Sequence, residues 1–462
     1  MNITLSRSLF RLAAAVPILL SVIVLSTLPA RASSCVFANE DHDALQAATN
    51  LSTSVRPRNL SWLSATSVNG LPRVPRPQQL QVAKAAPSTR QPPECLRVSA
   101  STCSIAAALG RGINMGNMLE SPHEGQWGIT YKGHYPSTIK AAGFTHVRLP
   151  VRWSNHASPD AAATLYPEFL ARVDQIVDDF LVQGLYVIVN MHHYRQLDGK
   201  PPEEDKCEVA VDPAVLEDRF VNLWRQIANH YQGYSDHLLF ELYNEPHDAQ
   251  TPEIWNARYP KALAAIRDSN PTRVVMVGPS EWNTADALVN FTPQNDPHTV
   301  VTFHHYVPDP FTHQGAWGKP YSPCSRTCCS SADLDEISAV FDAAKQWSIE
   351  QGKPIYLGEF GSHISAPHTS RVNYAKAMRS GAESRGMSWA VWNFGSDFGV
   401  YDVLTDQWNA DLLGALVPSR HHGRRPSVRR PVSDIVDCVQ GRVALHAVTC
   451  VVSNKETDHA RE

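Results

Sequence analysis

The sequence predicts one (β/α)8 barrel, the TIM-barrel fold of the α/β class, over residues 96–418. Eight short apolar runs alternate with helical stretches, several runs are apolar at consecutive positions, and nearly every run ends in polar or aromatic residues. Consecutive apolar residues are typical of parallel strands that are buried on both faces. Eight strand–helix units in succession are the repeat of this barrel, and its functional groups lie where the strands end.

The eight runs are predicted to be the barrel strands in chain order. Between them lie amphipathic helices, of which residues 167–184 are the clearest example because their apolar residues recur on one helical face. The runs are GINMGN (112–117), THVRLPV (145–151), LYVIVNM (185–191), LLFELYN (238–244), RVVMVGP (273–279), VVTFHHY (300–306), PIYLGEF (354–360) and MSWAVWNF (387–394).

Residues 1–32 have the pattern of a signal peptide. Arg7 and Arg11 precede an apolar stretch from about Leu12 to Leu28, and Ala30-Arg31-Ala32 matches a small-x-small cleavage site. An uncleaved membrane anchor remains the alternative. We therefore expect a secreted protein, extracellular or periplasmic, with no stable membrane insertion after cleavage.

Two further segments flank the predicted barrel. Residues 33–95 are rich in Pro, Ser and Ala without apolar periodicity, so they are predicted to be a disordered linker. Residues 419–462 form a tail that is first basic and then polar, and its role is open. The net charge of -4 is small, so a nucleic-acid partner is not expected.

The nine cysteines include a group of three in one loop, Cys324, Cys328 and Cys329. Export permits disulfides, so disulfides or free thiols are expected there. A metal site is the alternative, although the spacing matches no standard zinc pattern. We expect no metal and no cofactor.

Polar and aromatic residues cluster at or near the ends of seven predicted strands, too many for each to be only a satisfied polar group. Two of them, Glu245 and Glu359, form the pair of carboxylates that glycoside hydrolysis requires. Different surroundings would keep one of these two carboxyl groups protonated and the other ionised. The cluster comprises Arg148, Asn190 to His193, Asn244 to His247, Glu281 to Asn283, His304 to Tyr306, Glu359, Trp392 and Asn393.

These motifs resemble family 5 glycoside hydrolases of clan A, which include many endo-β-1,4-glucanases. The resemblance covers roughly residues 105–418 and is carried by LLFELYNEPH (238–247) and LGEFG (357–361), in that order. It implies a retaining mechanism with Glu245 as acid/base and Glu359 as nucleophile.

The resemblance also implies six substrate-binding residues. Asn244 would hold the sugar 2-hydroxyl, Arg148 would orient and ionise the nucleophile, and Trp392 would be a stacking platform. For the neighbouring His193 and His305, ligand contact and a supporting role both stay open. The six are Arg148, His192, Asn244, His304, Tyr306 and Trp392.

Outside these motifs, Glu241 is predicted to be a buried strand residue that pairs with a neighbour. Asn117, Glu120 and Trp127 either reach distant subsites or only shape a loop.

The predicted partner is a polysaccharide, with β-1,4-glucan as the expected substrate and a monomer as the expected form. Mixed-linkage glucan, xyloglucan and mannan are alternatives, because one fold serves many substrates. A catalytically inactive, carbohydrate-binding barrel is the alternative from another class. A metal-dependent hydrolase is disfavoured because no His-Glu-x-x-His helix accompanies the paired histidines.

Overall fold

The computed structural model describes residues 91–203 and 208–418. The predicted signal peptide 1–32, most of the predicted linker 33–95 and the tail 419–462 lie outside the described residues. The last residues of the linker segment, Pro93–Cys95, form a 3-10 turn that a disulfide joins to the first helix. Among the described residues, no helix combines the length and the apolar character needed to cross a bilayer.

Eight parallel strands close into a barrel, with β8 paired to β1, so the predicted fold is confirmed. A two-stranded antiparallel ribbon, β9 (Tyr401–Asp402) and β10 (Gln407–Trp408), follows outside the barrel. The barrel strands are β1 (Arg111–Asn114), β2 (His146–Leu149), β3 (Tyr186–Asn190), β4 (Leu238–Glu241), β5 (Val275–Val277), β6 (Thr299–His304), β7 (Ile355–Glu359) and β8 (Ser388–Val391).

Every strand is shorter than the apolar run that predicted it. The run 238–244 shows the reason, because only Leu238–Glu241 pairs with its neighbours and Asn244 already bonds the Met191 carbonyl beyond the ladder. Glu245 then has a φ of 51°, a left-handed conformation that turns the chain away from the sheet. The predicted site residues of this run therefore lie in the loop that follows β4.

The helices pack around the barrel through apolar faces. The helix predicted at 167–184 is observed as Pro167–Val182, and the apolar residues of its predicted face are buried. The helices are α1 (Ala100–Leu109), α2 (Tyr135–Ala142), α3 (Pro167–Val182), α4 (Leu216–His230), α5 (Pro252–Arg267), α6 (Asp309–Thr312), α7 (Ser331–Gln351), α8 (His368–Ser384) and α9 (Ala410–Leu416).

An apolar cluster fills the N-terminal half of the barrel. Ile188, Leu239, Met276 and Val300 meet there, and α1 contributes Leu109 to the same cluster. The cluster is a packed core, as is usual inside such barrels. The polar side chains of the candidate site lie beyond this cluster, at the C-terminal ends of the strands, whereas His146, at the start of β2, is a buried polar residue at the other end.

The five cysteines within the described ranges are all disulfide-bonded. Cys95 pairs with Cys103, and Cys328 pairs with the adjacent Cys329. Cys324 is bonded as well, so the disulfide interpretation of this loop is confirmed and the metal alternative is wrong.

Candidate active site

Arg148, on β2, is the centre of the polar layer and is fully buried, with 0% of its surface exposed. Its Nε and Nη2 donate to both carboxylate oxygens of Glu241 at 2.7 and 2.6 Å. Its Nη1 donates to Glu359 Oε1 at 2.7 Å and to Asn114 Oδ1 at 2.8 Å, and Nη2 reaches Asn244 Oδ1 at 2.7 Å. One guanidinium thus orients four side chains, and the prediction that Glu241 is paired with a neighbour is confirmed.

Glu359, at the end of β7, receives a hydrogen bond on each carboxylate oxygen. Arg148 donates to Oε1, and the Tyr306 hydroxyl donates to Oε2 at 2.9 Å. Burial raises the pKa of Glu359, while His304, Arg148 and the Tyr306 hydroxyl oppose that rise. Donors on both oxygens stabilise the charged form, which is the form a nucleophile needs.

Glu245 has a different environment in the loop after β4. One quarter of its side chain is exposed, and its Oε1 lies 2.6 Å from His304 Nδ1. Burial raises the pKa of Glu245 to about 7, although the charge of Arg148 acts against the rise. A carboxyl group that titrates near neutrality can donate a proton and take it back, as an acid/base must.

The two carboxylates face each other across a short gap. One oxygen of Glu245, one oxygen of Glu359 and a ring nitrogen of His304 all lie within 4.8 Å of one another. Retaining glycosidases place their carboxyl groups about 5–5.5 Å apart, whereas inverting enzymes leave a wider gap for water. The same three atoms could also hold a cation, but a cation there would occupy both carboxylates.

Trp392, in the loop after β8, is half-buried at the edge of the site. Its ring lies nearly parallel to that of His192, at 12° and 5.8 Å between centroids. Gly116 allows this position, because a Cβ there would lie 2.8 Å from the Trp392 ring. The indole and the imidazole therefore form one wall beside the carboxylates.

His305 and His193, the second members of the two histidine pairs, have different surroundings. His305 points away from the carboxylates, since its Nε2 donates to the Ile337 carbonyl of α7 at 3.2 Å and its Nδ1 accepts from Val307 N. Both of its ring nitrogens therefore have backbone partners. His193 stays on the cleft side and meets the ring of Trp127 edge to face at 5.6 Å.

A buried carboxylate stabilises the loop after β1 by accepting hydrogen bonds from the backbone of that loop. The Glu120 carboxylate is buried and accepts from the backbone N–H groups of Asn117 and Met118. Glu120 therefore shapes its own loop. Trp127 is half-buried and lies under the Arg152 guanidinium at 5.5 Å.

Asn114 was not among the residues predicted from the sequence, and Trp282 was included in the predicted cluster without a role. Asn114 ends β1 and bonds Arg148, so the asparagine inside the first apolar run, 112–117, was the available signal. Trp282 is 49% exposed, and its ring stacks on His247 at 5.1 Å and 18°. Its backbone N–H donates to Pro246 O at 3.2 Å, which places the pair beside Glu245.

A closed (β/α)8 barrel with facing oxygens of two glutamates within 4.8 Å has the geometry expected of a retaining glycoside hydrolase. Residues 109–398 match the family model for cellulase, glycosyl hydrolase family 5, and the chain belongs to this family.

The chain is similar to several endoglucanases. Endoglucanase H of Acetivibrio thermocellus is 35% identical over 336 residues, which are 71% of this chain and 35% of that protein. Cellulase/esterase CelE of the same organism is 29% identical, over 62% of this chain and 35% of its own length. The chain thus spans about a third of the length of these two relatives. Thermotoga maritima Cel5A, solved with cellobiose, is 39% identical with a TM-score of 0.64 over 68% of this chain and 99% of that one.

Proposed function

We propose that the protein is a retaining endo-β-1,4-glucanase. The observation that carries the proposal is the pair of Glu245 and Glu359, whose facing oxygens lie within 4.8 Å and whose hydrogen-bond partners differ in kind. Glu359 has a cation and a hydroxyl as donors, whereas Glu245 has a neutral histidine and a pKa of about 7. Such a difference separates the roles of two otherwise identical side chains.

The proposed reaction has two steps. Glu359 attacks the anomeric carbon while Glu245 gives its proton to the leaving oxygen, which breaks the glycosidic bond and forms a covalent glycosyl–enzyme ester. Glu245, now ionised, then takes a proton from water, and the resulting hydroxide displaces Glu359. Arg148 and Tyr306 remain the hydrogen-bond partners of Glu359 while its charge changes, and His304 remains the partner of Glu245.

The remaining predicted residues are assigned to sugar binding. Arg148 donates to the Asn244 side-chain oxygen, and the amide nitrogen of Asn244, which also interacts with Glu245, has a second N–H for a sugar hydroxyl. Trp392 offers an apolar face to the C–H face of the sugar ring, and the His192 ring lies nearly parallel to the indole. The stacked pair of Trp282 and His247 lies beside the acid/base, Glu245.

The β-1,4-glucan substrate is supported by the names of the relatives, which include several endoglucanases. Mannan is the second candidate, because Thermotoga maritima Cel5A, 39% identical, is also described in complex with mannotriose. Mixed-linkage glucan and xyloglucan stay as further alternatives.

Product sizing on soluble polysaccharides tests the proposal. Carboxymethyl cellulose should lose viscosity early, before many reducing ends form, and β-glucan, xyloglucan and galactomannan should react more slowly. Proton NMR should show the β-anomer first. Glu245→Gln and Glu359→Gln are the matched controls. Binding without turnover by the unmodified protein would favour the inactive barrel, and an initial α-anomer would contradict the retaining mechanism.

We also propose that the protein is exported and monomeric. The Arg7/Arg11 pair, the apolar stretch and the Ala-x-Ala site support export, and so do disulfides, which persist in oxidising compartments. A mature N-terminus at Ser33, found by N-terminal sequencing, would agree with cleavage after Ala32. Light scattering of the purified protein measures its oligomeric state.

A further inference from the structure

Tyr243, the residue before Asn244 and Glu245, has a buried hydroxyl that lies between two hydrogen-bond acceptors. Its oxygen is 2.7 Å from Asp198 Oδ2 and 3.0 Å from the backbone carbonyl oxygen of Tyr194. A hydroxyl donates a single hydrogen bond, and a carbonyl oxygen can only accept. Both contacts are hydrogen bonds at the same time only if the Asp198 carboxyl group carries a proton and donates it to the Tyr243 oxygen. The proton of the Tyr243 hydroxyl then goes to the Tyr194 carbonyl.

The surroundings of Asp198 favour the neutral form of its carboxyl group. The residue is only 3% exposed. Burial raises the pKa of Asp198 to about 8, and the charge of Asp248 adds to the rise. The Tyr243 hydroxyl, the backbone N–H of His247 and the charge of Lys200 act against it. Lys200 forms its salt bridge with Asp248 instead, at 2.7 Å.

The other charged and titratable groups near Asp198 and Tyr243 have partners of their own. The Tyr194 hydroxyl accepts a hydrogen bond from Arg219 at 2.8 Å, and Arg258 donates to the side chain of Gln250 at 2.5 Å. The groups that face this pair are Tyr194, Lys200 and Glu208 in the loop after β3, His247 and Asp248 after β4, Arg219 on α4 and Arg258 on α5.

The contact between Asp198 and Tyr243 joins the loop after β3 to the loop that carries the proposed acid/base. Two further hydrogen bonds join the same loops. The Ala249 N–H donates to the Asp198 carbonyl at 3.2 Å, and the Gln250 amide donates to the Leu197 carbonyl. Because Tyr243 immediately precedes the proposed catalytic segment, a displacement of its ring is transmitted through one peptide bond to that segment.

We propose that Asp198 is a positioning residue that works as a neutral carboxylic acid: its proton completes a chain of hydrogen bonds from Asp198 through Tyr243 to the Tyr194 carbonyl. This chain holds Asn244 and Glu245 in place. When the proton is lost, the Tyr243 hydroxyl turns to the carboxylate and the Tyr194 carbonyl loses its donor. The positioning role rests on the proposed function, whereas the protonation of Asp198 does not.

The substitution Asp198→Asn tests the protonation, because asparagine has the shape of the neutral acid, keeps a donor and does not titrate. The unfolded chain releases the aspartate proton near the ordinary pKa of about 3.9, and the folded chain releases it at about 8. Between these values the unmodified protein should lose stability relative to the variant as the pH rises. The Tm of Asp198→Asn minus that of the unmodified protein should therefore grow up to about pH 8 and stay level above it.

The matched control is Asp248→Asn, in the adjoining loop. Asp248 is paired with Lys200, and the hydrogen bond from Lys200 lowers its pKa, so its ionised form supports the fold. The same Tm difference should therefore stay flat or fall with rising pH in this control. A difference that is flat or falls in Asp198→Asn would show an ionised carboxylate and overturn the proposal.

The pH profile of catalysis tests the positioning role. An aryl β-cellobioside with a good leaving group suits this measurement, because its glycosidic bond breaks without a proton from Glu245. As the pH rises through about 8, kcat/KM of the unmodified enzyme should fall about tenfold, less than the roughly 10²-fold loss that a displacement of about 1 Å can cause. Asp198→Asn should keep its kcat/KM over the same range.

Superimposable pH profiles of Asp198→Asn and the unmodified enzyme would contradict the positioning role. Inactivity of the unmodified protein on every glycoside would contradict the proposed function. In that case the Tm series would still decide whether Asp198 is protonated.

Discussion

Replacing Arg148 by methionine tests what its guanidinium contributes to stability and what it contributes to catalysis. The side chains of Arg148 and Glu241 are fully buried, and that of Glu359 is 6% exposed. Removing one partner of a buried ion pair costs about 3–5 kcal/mol, because the remaining charge has no compensation. Glu241 carries most of this cost, since Arg148 is its only side-chain donor among the described residues, whereas Glu359 keeps Tyr306.

The double variant Arg148→Met/Glu241→Gln removes the uncompensated charge together with its partner. It should regain about 2 kcal/mol or more of unfolding free energy over Arg148→Met. Activity should not return, because Glu359 still lacks its cation and its pKa should rise by about 1–3 units. The nucleophile works ionised, so the acid limb of kcat/KM should move up by the same amount.

Urea unfolding followed by tryptophan fluorescence measures the first effect, and the pH profile on soluble cellulose measures the second. At a pH below the new pKa of Glu359, each unit of the shift lowers kcat/KM about tenfold. Recovery of both stability and activity in the double variant would refute the reasoning, since it would show that Arg148 serves only the fold.

Four further outcomes are expected. The pKa of Glu245 is raised to about 7 and its protonated form is the acid, so kcat/KM should fall as the pH rises through about 7; a profile flat to pH 9 would contradict this. Glu245→Ala should lose roughly 10²–10⁴-fold on polymer but less on aryl glycosides with good leaving groups, and an equal loss on both would remove Glu245 from the acid role. Trp392→Ala should lower kcat/KM by about 10²-fold at a nearly unchanged Tm, because a displaced sugar reacts slowly; a large fall in Tm with normal turnover would make Trp392 a packing residue. Activity should survive EDTA, and loss that Mg²⁺, Mn²⁺ or Zn²⁺ restores would show a metal requirement.

The periodicity of the chain was enough to predict the barrel and the position of its chemistry. Buried parallel strands have a local signature, and the helix at 167–184 has another, so both could be read without any long-range contact. Glu245 and Glu359 could be paired in advance for a related reason. In a closed parallel barrel all strands end at the same rim, so polar residues at strand ends must converge.

Which side chains meet within that rim depended on the tertiary structure. His304 and His305 are adjacent in the chain, yet one faces Glu245 and the other bonds α7. Alternation along a strand predicts that neighbouring side chains point in opposite directions, but which of the two faces the site depends on the register between strands, which no local pattern encodes. For the same reason only the folded barrel shows that Arg148 links Glu241 to Glu359.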